Sequence, residues 1–242
     1  MIELKNLKKS FRDFVAVDTS NWTAEDGEIT GFIGKNGAGK STTLKMITGI
    51  LAPTEGTVLL NGHDIKTEPL EAKSQYGFVS DSPDHFLRLT GLEYLEFMAD
   101  IYHVSEARRK EFIPEYSKRF GIEKSLGEKI LSYSHGMRQK IMILGVLIHE
   151  PSIWILDEPL TGLDPSSAFE LKSMMKEHVK KGNSVLFSTH VLEVAEKLCD
   201  KIVIIDGGKI IFTGSLSDLK AKYKNEDSLE NIFLKLTAKK EN

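Results

Sequence analysis

The chain has 242 residues, 40% of them hydrophobic and 28% charged, and a formal net charge of −3. That is room for one α/β domain with a sizeable insertion, in the composition range of globular proteins, and its slightly negative balance argues against nucleic acid as the main partner. The single cysteine, Cys199, excludes an internal disulfide framework and a multi-cysteine zinc site, and fits a reducing compartment.

The N-terminal residues Met1–Lys5 have no long apolar core and no small-residue cleavage site, so no signal peptide is expected there. No run approaches the roughly 18 apolar residues of a membrane span, so the chain is not expected to cross a membrane by itself. Residues 2–7 alternate apolar and polar, the period of a half-buried strand. Phe11 and the stretch Val15–Asp18 follow. Ile29–Ile33 reads as a buried strand and runs into Gly34-Lys35-Asn36-Gly37-Ala38-Gly39-Lys40-Ser41, with Thr42–Ile47 behind it as the opening of a helix. Strand, glycine-rich turn and helix make G-x-x-x-x-G-K-[ST] a phosphate loop. Its backbone N–H groups turn inward, and the helix start adds free donors and the positive end of a dipole. In such a loop the lysine, Lys40, reaches the β- and γ-phosphates and the Ser41 hydroxyl binds Mg²⁺.

Beyond a turn-rich break at 49–56, Thr57–Leu60 is a predicted strand, Asn61-Gly62 a hairpin turn, and Tyr76–Val79 a short strand. From 81 to 150 the texture is helical. Thr90-Gly91-Leu92-Glu93 has the capping-box pattern. Residues 105–120 are charged and predicted helical, interrupted at Pro114, and 137–149 place Met137, Ile141, Leu144 and Ile148 on one helical face. This stretch is expected to be a helical insertion within a parallel sheet. The sheet resumes at Ile153–Leu156, a strand that can lie beside the phosphate loop, and ends in Asp157-Glu158. Asp157 is then placed to hold Mg²⁺ and Glu158 to polarise an attacking water. Asp164-Pro165 opens a helix to about Lys180, with Gly182 beyond its end. Ser184–Ser188 and Lys201–Ile205 are further strands around a helix at 191–199, and Asp206-Gly207-Gly208 turns into a last strand at Lys209–Thr213. The tail, 216–242, is Lys-rich with a weak helical pattern at Leu229, Ile232, Phe233 and Leu236.

Five segments, in one order, resemble the nucleotide-binding subunit of ATP-binding cassette (ABC) transporters: the phosphate loop 34–41, Tyr133-Ser134-His135-Gly136-Met137-Arg138-Gln139, the acidic strand 153–158, Thr161-Gly162-Leu163-Asp164, and Ser188-Thr189-His190. The resemblance covers about residues 1–215. It implies an α/β fold: a P-loop NTPase of RecA-like type with an N-terminal antiparallel β subdomain and an ABC-type helical subdomain. The nucleotide-binding core would be 1–80 with 151–215, the helical subdomain with its signature 81–150, and the C-terminal helical tail 216–242. It implies ATP and Mg²⁺ as cofactors, and two subunits packed head to tail, either two copies or this chain with a paralogue. Each ATP would lie between Gly34–Thr42, Asp157, catalytic Glu158 and His190 of one chain and Ser134 and Gly136 of the other. A helix beginning near Met137 would aim donors at phosphate. Asp164 would join the two sites across the interface, and Phe11 would stack on adenine.

Two positions depart from the family pattern. Asp81 stands where a glutamine is usual, as an additional candidate Mg²⁺ ligand, and His135 where glycine is common. Ser-x-Gly-Met variants resemble a branch of bacterial exporters. The implied function is therefore ATP hydrolysis powering a separate membrane-spanning permease, from a peripheral position on the cytoplasmic side of the cell membrane. A loop at Asp81–Leu89 is the expected permease contact. Two rivals are a soluble ABC-type ATPase acting on ribosomes or DNA, and a small-molecule P-loop kinase. The first usually carries two cassettes or a long coiled coil, and the second leaves the signature and His190 without purpose.

Overall fold

The structure, a computed structural model, describes residues 1–223 and 229–238. Two sheets stack around a shared core. The first is antiparallel and is built from β1 (Ile2–Phe11), β2 (Phe14–Thr19), β3 (Trp22–Ala24), β5 (Glu55–Leu60) and β6 (His63–Asp64). Its order is β2-β1-β5-β6, with β3 pairing the start of β1. The turn Asn61-Gly62 joins β5 to β6 as its residue types predict.

The second sheet contains β4 (Ile29–Ile33), β7 (Tyr76–Val79), β8 (Ile153–Leu156), β9 (Ser184–Thr189), β10 (Lys201–Asp206) and β11 (Lys209–Gly214), in the order β11-β10-β4-β9-β8-β7. The five strands from β10 to β7 are parallel, and β11 closes one edge as an antiparallel hairpin partner of β10. Strands buried on both faces read as continuous apolar runs, as β4 and β8 do. Their side chains still alternate. Ile153, Ile155 and Leu186 face the core shared with the first sheet, whereas Trp154, Leu156, Val185 and Phe187 face the helices on the other side. The tight spacing of that second layer shows at Gly31, where an added Cβ would lie 2.5 Å from Cys199 Sγ.

Helices α1 (Lys40–Ile47) and α2 (Pro69–Ser74) precede β7. The segment between β7 and β8 holds α3 (Gly91–Ile101), α4 (Glu106–Arg119) and α5 (His135–Leu147). The capping box at Thr90 forms as its residues predict, with Glu93 N–H donating to Thr90 Oγ1 and Thr90 N–H to Glu93 Oε2. The expected interruption at Pro114 does not occur, for α4 runs through it. Buried Phe112 and Ile113 anchor the helix on its inner side, and Pro114 lies on the exposed side, where water can take the carbonyl that proline leaves without a donor. Helix α5 also starts earlier than expected, at His135, because Ser134 caps it through Met137 N–H.

In this sheet β9 lies between β4 and β8. Because all the strands from β10 to β7 run the same way, the carboxyl ends of β4, β9, β8 and β7 still share one edge. Ligands of open α/β sheets bind along that edge.

Helix α6 (Pro165–Lys180) is capped by Asp164, and α7 (Leu192–Leu198) follows β9. Then come α8 (Leu216–Lys222) and α9 (Leu229–Ala238). Leu229, Ile232 and Phe233 of α9 are buried with Ala195, Ile202, Ile204 and Leu219, so the weak pattern in the tail marks a packed helix. Residues 224–228 and 239–242 of that tail lie outside the described residues. Among the described residues no helix is long and apolar enough to cross a membrane.

Candidate active site

The loop after β4 takes its shape from positions that disfavour a side chain. Gly37 and Gly39 have φ of +80° and +107°, and a Cβ on Gly34 would fall 2.6 Å from the Ile205 carbonyl oxygen. The loop is tied to the turn after β10 by Gly208 N–H donating to Ala38 O at 2.9 Å. Lys40 is buried, and its Nζ donates to Gly34 O at 2.8 Å and Lys35 O at 3.3 Å.

Facing this loop is the acidic end of β8. Asp157 is fully buried. Its Oδ1 accepts from Ser188 Oγ at 2.5 Å, and its Oδ2 has no hydrogen-bond partner. Burial raises the Asp157 carboxyl above its ordinary value; the hydroxyls of Ser188 and Ser41 pull it back, and Asp81 and Glu158 add to the rise. A buried oxygen without a partner, beside a serine hydroxyl and two further carboxylates, fits a hard cation. Among the described residues no cluster of three acids, histidines or cysteines forms a metal cage. Mg²⁺ needs none, since it is usually held by one or two carboxylates together with substrate phosphates.

Glu158 has a φ of +49°, unusual for a residue with a side chain. Its Oε1 stands 3.0 Å from His190 Nδ1 and 3.6 Å from Lys40 Nζ. The ends of β8 and β9 and the start of α1 thus bring Glu158, His190 and Lys40 within reach of one another. Asp81, at the end of β7, accepts from Ser80 Oγ at 3.1 Å and lines the same cleft.

That cleft, of about 320 Å³, is walled by Asn36, Gly37, Gly39, Lys40, Ser41, Thr42, Asp81 and Glu158 on one side and by Phe11, Phe14 and Ala16 on the other. Phe11 is half-exposed, with Lys9 Nζ 5.2 Å from its ring centre. Phe14 escaped the sequence reading. Phe11 and Phe14 are cross-strand partners on either side of a two-residue turn, Arg12-Asp13, so the spacing F-x-x-F was the available signal.

Ser134, Gly136 and Asp164 do not line this cleft. They lie in a second group, where the loop at Ser134–Gly136 packs on the loop at Gly162–Asp164. A Cβ on Gly136 would fall 2.5 Å from Gly162 O, and the His135 ring lies where a Gly162 side chain would be. Lys140, one turn after Gly136 on α5, pairs with Asp164 Oδ2 at 2.6 Å. The Lys140 ammonium, with Ser167, holds Asp164 far below the usual carboxylate range. Sequence reasoning missed Lys140, although its i,i+4 spacing from Gly136 places it on the same face. Gly136→Ala is expected to force the two loops apart and to lower ATP hydrolysis by about 10- to 100-fold. The isolated chain's own nucleotide affinity should be unchanged, which paired binding and turnover assays would check.

A phosphate loop at the carboxyl edge of a parallel sheet, faced by a buried aspartate and a glutamate–histidine pair, defines a P-loop nucleotide hydrolase. The chain belongs to the ABC transporter family, whose model matches residues 17–161. It is 36% identical over 238 residues to the ABC-type transporter ATP-binding protein EcsA of Bacillus subtilis (strain 168), covering 98% of this chain and 96% of that one. The ATP-binding subunit of an ABC transporter, a solved structure, superposes with a TM-score of 0.92 at 33% identity, over 98% of this chain and 99% of the other. The cassette MJ0796, solved as a dimer in a post-hydrolysis state bound to ADP and Pi, superposes with a TM-score of 0.81 at 25% identity, over 89% of this chain and 99% of that one. The chain is an ATP-binding ABC ATPase of a transporter.

Proposed function

We propose that this chain powers an exporter as one of two ATPase subunits packed head to tail, each ATP lying between the cleft of one chain and Ser134 and Gly136 of the other. The observation that carries this reading is the division of the family's motif residues into two groups within one chain. Phe11, Gly34–Thr42, Asp81, Asp157, Glu158 and His190 gather at one place, and Ser134, Gly136 and Asp164 at another. A second subunit would supply the missing half of each site. The dimeric cassette among the relatives supports the pairing, and the Ser-x-Gly-Met signature supports the export direction. Two copies of this chain, or this chain with a paralogue, would serve.

In this site the phosphate loop and Lys40 bind the β- and γ-phosphates, and Phe11 stacks on the base. Ser41 and Asp157 hold Mg²⁺, with Asp81 as a further carboxylate. The cation, when bound, neutralises charge on the phosphate oxygens. Glu158 polarises the attacking water, and His190 orients Glu158 and contacts the γ-phosphate. Asp164 links the two sites through its loop. Phosphoryl transfer to water asks the protein mainly for position and charge. The working division is a core of 1–80 with 151–215, a helical subdomain at 81–150 and a helical tail at 216–242.

The partner is a separate membrane-spanning permease, with this subunit bound peripherally on the cytoplasmic side. Support comes from the loop at 81–89, where half-exposed Phe86 meets Phe97, itself half-exposed, at 5.5 Å between ring centres. Ile101, one turn on from Phe97, extends that exposed apolar surface on α3. To test this, the tagged chain is expressed in its own host and purified from membranes in mild detergent. A polytopic membrane protein in stoichiometric amount is expected. Recovery only from the soluble fraction, with ribosomes or DNA, would replace this reading with the soluble ABC-type ATPase.

A further inference from the structure

Ser188 touches both members of the acidic pair. It lies on β9, two residues before His190, and is fully buried. Its hydroxyl donates to Asp157 Oδ1 at 2.5 Å, and its oxygen accepts the Glu158 main-chain N–H at 2.9 Å. The hydroxyl is thereby used both as donor and as acceptor, and its rotation is fixed.

We propose that Ser188 is a positioning residue for the hydrolytic reaction: it selects which Asp157 oxygen faces the cation and holds Glu158 in the backbone conformation that aims its carboxylate at the site. The assignment rests on the roles proposed above for Asp157 and Glu158. A free carboxylate presents either oxygen by rotating about Cβ–Cγ. Here Ser188 engages Oδ1, and Oδ2 is the oxygen left without a partner. Glu158, for its part, sits in the left-handed region, which a side chain disfavours. Its N–H is held by Ser188, its carbonyl accepts Thr161 N–H at 3.1 Å, and its carboxylate meets His190 at 3.0 Å. The end of β9 therefore grips Glu158 at both backbone and side chain, and the same serine ties it to Asp157. Removing the hydroxyl leaves buried Asp157 Oδ1 and the part-buried Glu158 N–H without their present partner, and both groups must turn to find others.

A merely structural serine, stapling β8 to β9, would lower thermal stability without altering how the protein responds to magnesium. The deciding experiment titrates a non-hydrolysable ATP analogue into wild type, Ser188→Ala, Ser188→Thr and Asp157→Asn, once with EDTA and once with excess Mg²⁺. Partners of metal-ligating groups are typically worth about 10- to 100-fold in metal affinity or activity. Ser188→Ala is expected to match wild type in EDTA and to lose about 10-fold of the affinity gained with Mg²⁺. Ser188→Thr, which keeps the hydroxyl on a β-strand, restores the gain. If Asp157→Asn loses the gain while Ser188→Ala keeps it, the Ser188 assignment is overturned and the site reading stands. An equal loss in EDTA and in Mg²⁺ also overturns it, as a general packing effect. If Asp157→Asn keeps the gain, the role of Asp157 falls and the assignment of Ser188 falls with it.

Discussion

Glu158→Gln is expected to lower ATP hydrolysis by roughly 10²- to 10⁴-fold while leaving nucleotide binding in place. The glutamine is nearly isosteric, so it can still contact His190 Nδ1 at a separation near the present 3.0 Å. What it loses is the negative charge that, in the role proposed for Glu158, draws a proton from the attacking water. Lys40 loses its 3.6 Å ion pair with Glu158 but keeps its contacts to Gly34 O and Lys35 O, so the loop holds its shape. With binding intact and turnover nearly stopped, ATP should accumulate at the paired state, seen as a dimer peak in size-exclusion chromatography with ATP. Normal turnover in this variant would assign the water to another group. Asp81, which lines the same cleft, would be the first to examine.

Lys40→Ala acts at the other end of the reaction. Its ammonium is the buried cation of the loop, only 6% exposed. A charged hydrogen bond of this kind contributes about 1.5–3 kcal/mol, and each 1.4 kcal/mol is about a factor of ten in affinity. ATP affinity is therefore expected to fall by about 10- to 100-fold, measured by titration with a fluorescent ATP analogue. AMP, which lacks β- and γ-phosphates, should bind the variant and the wild type alike. A similar loss for AMP would mean that the loop itself had collapsed.

The two variants separate binding from chemistry because the site is assembled from different strand ends. Most of those ends were legible. The phosphate loop, Asp157-Glu158, Asp164-Pro165 and the capping box at Thr90 each combine a chemical requirement with a fixed local spacing, and local spacing is what a sequence displays. The order of the strands is not local. Ile29–Ile33, Ile153–Leu156 and Val185–Phe187 are all buried apolar runs, and nothing in their composition says that β9 lies between β4 and β8. Pro114 misled for a related reason, because its effect on α4 depends on Phe112 and Ile113 being held from within. Phe14 and Lys140 were missed because their partners, Phe11 and Asp164, sit on other elements. Ser188 was visible only as a letter in a motif, and its two bonds depend on β8 and β9 lying side by side.

The packing of Cys199 over Gly31 has a practical consequence for spectroscopy. Burial pushes this thiol far above its ordinary pKa, so little of it is thiolate near neutral pH, and the thiolate is the form that maleimides and methanethiosulfonates attack. The chain has no other cysteine. Spin or fluorescent labels introduced at exposed positions such as Asp13, in the turn beside the cleft, and Ser132 should therefore report with little background from the native protein, without first replacing Cys199. Distance distributions between such labels would follow, in the proposed pair, the approach of one subunit's cleft to the other's signature during turnover.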